Sequence, residues 1–337
     1  MSALHRRCLA VIGAGSWGSA LAVQLARQGH TTRLWGRDPD VMTQMAAERA
    51  NARYLPDVVL PDTLEPVADF DRAVDGADDI VVVVPSHALR ACLEKLAGRL
   101  APDQRVLWAT KGLEPETALL PHEVAAEVLG CERPMGVLSG PSFAGEVGRG
   151  LPTAVTIASA DPDFADAMAN AFHDGVFRVY TAADVIGVGV GGAVKNVLAI
   201  AVGISDGLGY GANARALLIT RGLSEMMRLG VTLGGSRETL TGMAGLGDLL
   251  LTCSDDQSRN RRMGLSLAAG DDVAAAEKRI GQVVEGVRVA REVHRMARQH
   301  GIDMPIAAQA YRVLHEGVSP QTAVRHLTER PSRAEAE

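Results

Sequence analysis

Residues 9–29, LAVIGAGSWGSALAVQLARQG, decide the fold. LAVIG (9–13) is a short apolar run ending on glycine, and residues 17–28 carry a helical pattern. Between them, Gly13-Ala14-Gly15-Ser16-Trp17-Gly18 is a G-x-G-x-x-G that leaves the predicted strand and opens the predicted helix. In that setting each glycine has its own steric reason. Gly13 permits a tight turn, Gly15 lets the backbone approach a pyrophosphate, and Gly18 lets the helix pack closely on the strand. The anion then sits among the unpaired N–H groups of the helix N-terminus. His5-Arg6-Arg7 ahead of this stretch imitates a secretory leader. Glycines break its apolar part, and the dinucleotide pattern is far more specific.

The same alternation runs on through the first half of the chain. Apolar runs TTRLW (31–35), DIVVVVP (79–85), RVLWAT (105–110), GVLSG (136–140), TAVTIAS (153–159) and FRVYT (177–181) read as strands. Helical patterns at 39–50, 88–98 and 119–129 separate several of them. Strands alternating with helices of this length build βαβ units and a mostly parallel sheet, and the valines of 81–84 suit a strand covered on both faces. Beyond about residue 184 only helical stretches follow, at 185–204, 213–229, 236–245, 260–269, 280–300 and 305–316. The expected architecture is a Rossmann-type α/β domain over 1–184, an all-helical substrate domain over 185–330 and a charged, frayed tail over 331–337.

Composition sets bounds on function. The chain has 337 residues, 47% hydrophobic and 22% charged, with a net charge of −6. That is an ordinary globular composition with no sequence-wide basic field to attract nucleic acid or an anionic membrane. The four cysteines, Cys8, Cys92, Cys131 and Cys253, show neither metal-ligand nor disulfide-framework spacing. They read as reduced, buried thiols of a cytosolic protein with no bound metal.

Lys195 stands out within Asp184–Ile204, DVIGVGVGGAVKNVLAIAVGI, as the only charged residue from Val185 to Ile204. A surface helix alternates polar and apolar faces; this one does not, so it is expected to be buried. A buried ammonium must be paired, hydrogen-bonded or neutralised. It is then either a structural lysine with a carboxylate partner or a proton donor aimed into a site. A membrane span has the right length, but the central Lys195-Asn196 pair and the glycines argue against it.

Loops after later strands supply further chemistry. Leu34-Trp35-Gly36-Arg37-Asp38 ends the second strand, where a cofactor ribose is read. Arg37 suits a 2′-phosphate, whereas Asp38 either bonds a ribose hydroxyl or caps the next helix. Lys111 follows RVLWAT at the end of a strand that faces the ligand crevice; the alternative is a solvated loop lysine. Ser139-Gly140-Pro141-Ser142-Phe143-Ala144 offers small residues and free N–H groups. Gly245-Leu246-Gly247-Asp248-Leu249 leads through Thr252-Cys253 to Gln257-Ser258-Arg259-Asn260-Arg261-Arg262. The last cluster combines guanidinium groups with a helix start, as a phosphomonoester site requires, or else is a solvated basic turn.

Taken in order, GAGSWGSALA, LWGRD, VPSHALR, ATKGLE, LSGPSFAGEV, GGAVKNVLAIAVGISDGL, GLGDLLLTC, SRNRRMG and VVEGV resemble the bacterial NAD(P)-dependent sn-glycerol-3-phosphate dehydrogenase family. The resemblance spans about residues 9–290. It implies reduction of dihydroxyacetone phosphate to sn-glycerol 3-phosphate for glycerophospholipid synthesis. Family members vary around Arg37-Asp38, so the cofactor preference does not transfer with the resemblance; Arg37 itself favours NADPH, with NADH also accepted. It places Ser16, Trp17, Arg37, Lys111, Ala144, Arg259, Val283 and Glu285 on the cofactor. Around the substrate it places Lys111, Gly140, Ser142, Lys195, Asp248, Ser258, Arg259 and Asn260, with Lys195 transferring the proton. A homodimer is compatible with the resemblance. Two other readings remain: a related phosphorylated-polyol or β-hydroxyacid dehydrogenase, and a non-catalytic dinucleotide sensor. The phosphate-ready turn disfavours an unphosphorylated substrate, and the buried Lys195 disfavours the sensor.

Overall fold

The computed structural model describes residues 6–331. The start of the leader-like stretch and all but the first residue of the expected tail lie outside the described residues. The strands are β1 (Cys8–Ile12), β2 (Thr31–Trp35), β3 (Ala50–Asn51), β4 (Leu55–Val59), β5 (Leu64–Val67), β6 (Asp79–Val82), β7 (Arg105–Trp108), β8 (Met135–Ser139), β9 (Thr153–Ser159) and β10 (Phe177–Ala182). Among the described residues, eight of them form one sheet in the order β10-β9-β8-β7-β6-β1-β2-β5. Every neighbouring pair is parallel except β8–β9. The chain leaves β1 on one side for β2 and returns on the other at β6. This reversal opens a crevice at the carboxyl ends of β1 and β6, where doubly wound sheets bind ligands.

All seven expected strands are present in this sheet. Two features escaped the pattern. β5, LEPV, is a short edge strand whose Pro66 lacks the N–H that a central strand must donate. β3 and β4 form a separate antiparallel hairpin, too short and polar to show a period of two. Several helices were also unforeseen, among them Pro162–Phe172, although its start is marked by Asp161, which accepts from the Phe164 N–H at 3.0 Å, and by Pro162 in the first turn.

After β10 the described chain is helical, as expected. Helix Val185–Gly207 is the axis of this half, with Lys195 only 7% exposed. By length and composition it passes for a membrane span, with a mean hydropathy of 1.9, but it is the core helix, mostly buried within the protein. Helix Arg259–Ala268 crosses it backbone to backbone. A Cβ at Gly203 would lie 2.2 Å from the Arg261 carbonyl oxygen, and one at Gly264 would lie 2.2 Å from that of Ile200. Of the cysteines expected to be buried, Cys253 is, whereas Cys8 and Cys92 are half-buried and Cys131 is exposed, because it follows the end of helix Pro121–Leu129 in a surface bend. Two stretches also differ from expectation. The 236–245 pattern is a short helix, Arg237–Thr241, followed by a wide turn, Met243–Gly247, that feeds helix Asp248–Ser254. The 280–300 pattern starts late, at Glu285, because Gly281 (φ +70°) ends helix Val273–Ile280 and leaves Gln282-Val283-Val284 as a linker.

Candidate active site

The glycine loop divides its work as the pattern demands. Gly13 has φ +124°, and a Cβ there would lie 2.3 Å from the Val83 carbonyl oxygen; one at Gly18 would lie 1.8 Å from that of Gly13. A Cβ at Gly15 would meet nothing within 4 Å. Protein fills the space at the first and third glycines, and the second faces an open cleft. Helix Ser16–Arg27 starts there with no side chain capping it, leaving N–H groups for an anion. The indole N–H of Trp17 is buried without a protein partner. An orphaned donor beside an uncapped helix N-terminus fits the phosphates of a dinucleotide.

The cleft, of about 1040 Å³, runs between the sheet and the helical half. Gly15, Ser16, Trp17 and Gly18 line it at the glycine loop, with Lys111, Ser142 and Ala144 from later strand ends. Lys195, Asp248, Ser258, Arg259 and Asn260 face them from the helical half, with Val283 from the linker and Glu285 at the start of helix Glu285–Gln299. Gly13, Arg37 and Gly140 do not line it. Gly13 is packed beneath the turn. Gly140 turns its carbonyl oxygen to Lys111 Nζ at 3.1 Å and Ser142 Oγ at 3.0 Å.

Arg37 is exposed at the end of β2 and makes no hydrogen bond or ion pair among the described residues. Asp38 beside it caps helix Pro39–Glu48, accepting from the N–H groups of Asp40 at 3.1 Å and Val41 at 3.3 Å. Of the two readings of Asp38, the cap is the one the structure displays.

Three elements converge on Lys195. Asp248, 1% exposed, receives hydrogen bonds from Lys195 at Oδ1 and, at 2.7 Å, from Lys111 at Oδ2. Lys195 also donates to Thr252 Oγ1 at 3.0 Å. Burial lowers the Lys195 pKa to about 8, with Lys111 adding repulsion that attraction to Asp248 only partly offsets. Burial alone would raise the Asp248 pKa, but Lys111 and Lys195 together hold it below its ordinary value. Two ammonium groups around one carboxylate leave a net positive pocket, suited to an oxygen that gains negative charge.

The basic turn is sorted by the fold. Ser258 caps helix Arg259–Ala268, accepting from the Arg261 N–H at 3.2 Å. Arg259 is exposed to the cleft and reaches Gln282 Oε1 at 3.4 Å. Asn260 donates to Asn196 Oδ1 at 2.8 Å and accepts from the Gly286 N–H at 2.9 Å, leaving one amide N–H for a ligand. Arg261 is buried in ion pairs with Asp206 and Asp256.

Sequence reasoning missed Arg53 and Tyr54, which line the cleft from the β3–β4 hairpin. Buried Asn51 ties that hairpin to the glycine loop, donating to the Ala14 carbonyl at 3.1 Å and to Ser19 Oγ at 2.8 Å. It also missed Arg288, a cleft residue whose Nη1 lies 2.6 Å from His87 Nδ1. Nothing local in the sequence points to the hairpin pair. Arg288 lies three residues after Glu285, on the same helix face, and that spacing was the available signal.

With this geometry in place, the comparisons with known proteins are consistent along the whole chain. Residues 8–165 match the NAD-dependent glycerol-3-phosphate dehydrogenase N-terminus, and residues 184–325 match its C-terminus. Glycerol-3-phosphate dehydrogenase [NAD(P)+] of Thioalkalivibrio sulfidiphilus is 57% identical over 328 residues, 97% of this chain and 98% of the relative. The enzyme of the same name from Aeromonas hydrophila is 53% identical, with 97% and 98% covered. The crystal structure of glycerol-3-phosphate dehydrogenase from Coxiella burnetii superposes with a TM-score of 0.93 at 49% identity, covering 96% of this chain and 99% of that one.

Proposed function

Because the chain belongs to the NAD-dependent glycerol-3-phosphate dehydrogenase family, we propose that its cleft reduces dihydroxyacetone phosphate to sn-glycerol 3-phosphate through the Lys195–Asp248–Lys111 group. The observation that carries this reading is one buried carboxylate holding two lysines between an anion-ready glycine loop and a phosphate-ready basic turn. NAD(P)H, when bound along the cleft, supplies the hydride. The protein's residues hold the ketone and handle the proton.

Ser258, Arg259 and Asn260 take the substrate phosphate at the start of helix Arg259–Ala268, where N–H groups and a guanidinium add together. That anchor sets the carbonyl carbon relative to the nicotinamide face, an orientation worth several kcal/mol of barrier in well-aligned systems. Lys111 polarises the carbonyl, and Lys195 gives its proton to the oxygen as negative charge develops there. A pKa of about 8 keeps Lys195 largely protonated near neutrality yet a far better acid than a solvated lysine. Asp248 holds both ammonium groups in place. Ser142 lies against the substrate end, with Gly140 behind it holding Lys111 and Ser142 through its carbonyl. Ala144, Val283 and Glu285 lie along the cofactor, and Arg37, outside the cleft lining, takes its 2′-phosphate.

By the same reading residues 1–184 are the cofactor unit and 185–330 the substrate unit. NADPH is preferred over NADH, the product feeds glycerophospholipid synthesis in the cytoplasm, and two copies form the working unit. The test is NADPH absorbance followed with dihydroxyacetone phosphate and with unphosphorylated dihydroxyacetone. Strong turnover of the phosphate ester alone supports the reading, and equal rates with both ketones reject it.

A further inference from the structure

Helix Arg259–Ala268 opens with three arginines in its first four residues, Arg259, Arg261 and Arg262. The structure sends them different ways. Arg261 is neutralised inside the helical half by Asp206 and Asp256. Arg259 and Arg262 both line the cleft, three residues apart and therefore on one helix face. Arg262 is partly buried, makes no hydrogen bond or ion pair among the described residues, and its Nε is buried without a partner. Glu277 also lines the cleft but does not pair with it. An enclosed donor that no protein group satisfies is costly unless a ligand accepts from it.

The position of Arg262 selects the ligand. Substrate phosphate belongs to the helix start, at Ser258, Arg259 and Asn260. Arg262 lies about one turn, roughly 5 Å, further along the axis; Lys278 of helix Val273–Ile280 and Gln282 and Val283 of the linker line the same cleft. Across the cleft, Gly15, Ser16, Trp17 and Gly18 offer N–H groups and a helix dipole but no formal positive charge. A pyrophosphate brings two negative charges, so the uncharged turn leaves room for a cation facing it, in addition to Arg53 of the β3–β4 hairpin. Arg262 also repels its neighbour Arg259, and an anion between them relieves that repulsion.

We propose that Arg262 binds the pyrophosphate of the dinucleotide from the helical wall, opposite the Gly15–Gly18 turn. This assignment rests on the cofactor reading above. NADH and NADPH share the pyrophosphate, so Arg262 contributes to both alike and leaves their ratio to Arg37.

The test is direct binding, by calorimetry, of ADP-ribose, NADH, NADPH and adenosine to the full-length protein and its Arg262→Gln and Arg262→Lys variants. The Gln variant is expected to weaken the three pyrophosphate ligands by one common factor, about ten- to hundredfold, the range of a lost charge-assisted hydrogen bond. Adenosine binding and the NADPH-to-NADH ratio stay as in the parent. The Lys variant keeps the charge but loses the planar fork, and is expected to weaken the same ligands severalfold; it carries the measurement if the Gln variant fails to fold. Unchanged ADP-ribose affinity in either folded variant overturns the assignment, as does a loss confined to the KM for dihydroxyacetone phosphate. Failure of the parent protein to bind ADP-ribose refutes the cofactor reading itself.

Discussion

Lys111 and Lys195 hold opposite oxygens of a single carboxylate, Asp248 Oδ2 and Oδ1. Neither lysine's electrostatics is its own. Each lies beside a like charge, both depend on the same counter-charge, and one stands on a strand-end loop while the other stands on the core helix. Lys195 is thereby tied to the sheet that carries the glycine loop.

Lys195→Ala removes the proposed proton donor but leaves Asp248 paired with Lys111. The expected loss in kcat is about 10²–10⁴-fold, the usual worth of general acid catalysis, with NADPH affinity little changed. A folded variant that keeps more than half the parent kcat rules out the role.

Asp248→Asn removes the charge that raises the Lys195 pKa while Lys111 still repels it. The Lys195 pKa then drops below about 8. Ketone reduction needs the protonated lysine, so its rate in the parent falls as pH rises through that value, and in the variant the fall begins at lower pH. Alcohol oxidation needs the free amine and shows the opposite limb. Rate profiles in both directions decide the matter, and an unmoved reductive limb argues against Asp248 as the counter-charge.

Arg37→Glu replaces the unpaired cation at the end of β2 with a repulsive group. NADPH binding is expected to weaken by more than about 1.5–3 kcal/mol, the worth of the lost charged contact before repulsion is added. NADH suffers less. Equal weakening of the two cofactors in a fluorescence titration would show that Arg37 does not read the 2′-phosphate.

Arg259→Lys keeps the charge and loses bidentate geometry. The KM for dihydroxyacetone phosphate is expected to rise more than that for NADPH, with some fall in kcat because the remote phosphate aligns the carbonyl. Preference for the phosphate ester over dihydroxyacetone shrinks. An unchanged preference ratio removes Arg259 from the substrate phosphate.

Glu225, 1% exposed, accepts from the N–H groups of Ile306 at 2.7 Å and Ala307 at 3.1 Å, capping helix Pro305–His315 from its neighbour. Burial outweighs those two bonds and raises its pKa from 4.5 to about 7. Between these values the folded chain holds a proton that the unfolded chain has lost, so this group's stabilisation declines as pH rises from about 4.5 to 7. Glu225→Gln keeps an acceptor and has no proton to lose. Denaturant unfolding at pH 5 and pH 7.5 is expected to show a smaller decline in the variant than in the parent; identical declines contradict the account.

The sequence shows most clearly what repeats or what violates a pattern. The sheet was legible because β-branched runs alternate with helices, and the glycine loop because three glycines at fixed spacing have few other uses. Lys195 was conspicuous as one charge in an apolar helix. Its partner was not, since Asp248 lies 53 residues on and only the wide turn at Met243–Gly247 brings it in. Nor was the division of labour within Arg259–Arg262 legible. Which arginine meets the cleft depends on Asp206, Asp256 and the helix crossing, all set by tertiary packing. The β3–β4 hairpin offered no period at all, and Asn51 owes its place to a hydrogen bond that no local rule predicts.

The crossing at Gly203 and Gly264 acts as a gauge block. With no side chain between the two backbones, the separation of the helices is the thinnest that peptide groups allow, and the Asn196–Asn260 bond locks the rotation about it. Asn196 adjoins Lys195 and Asn260 adjoins Arg259, so the crossing fixes the span from the proposed proton donor to the proposed phosphate anchor. A ketone whose carbonyl stood one carbon further from its phosphate would seat at one end and miss the other. On that reading, two residues that lack side chains set the chain length the cleft accepts.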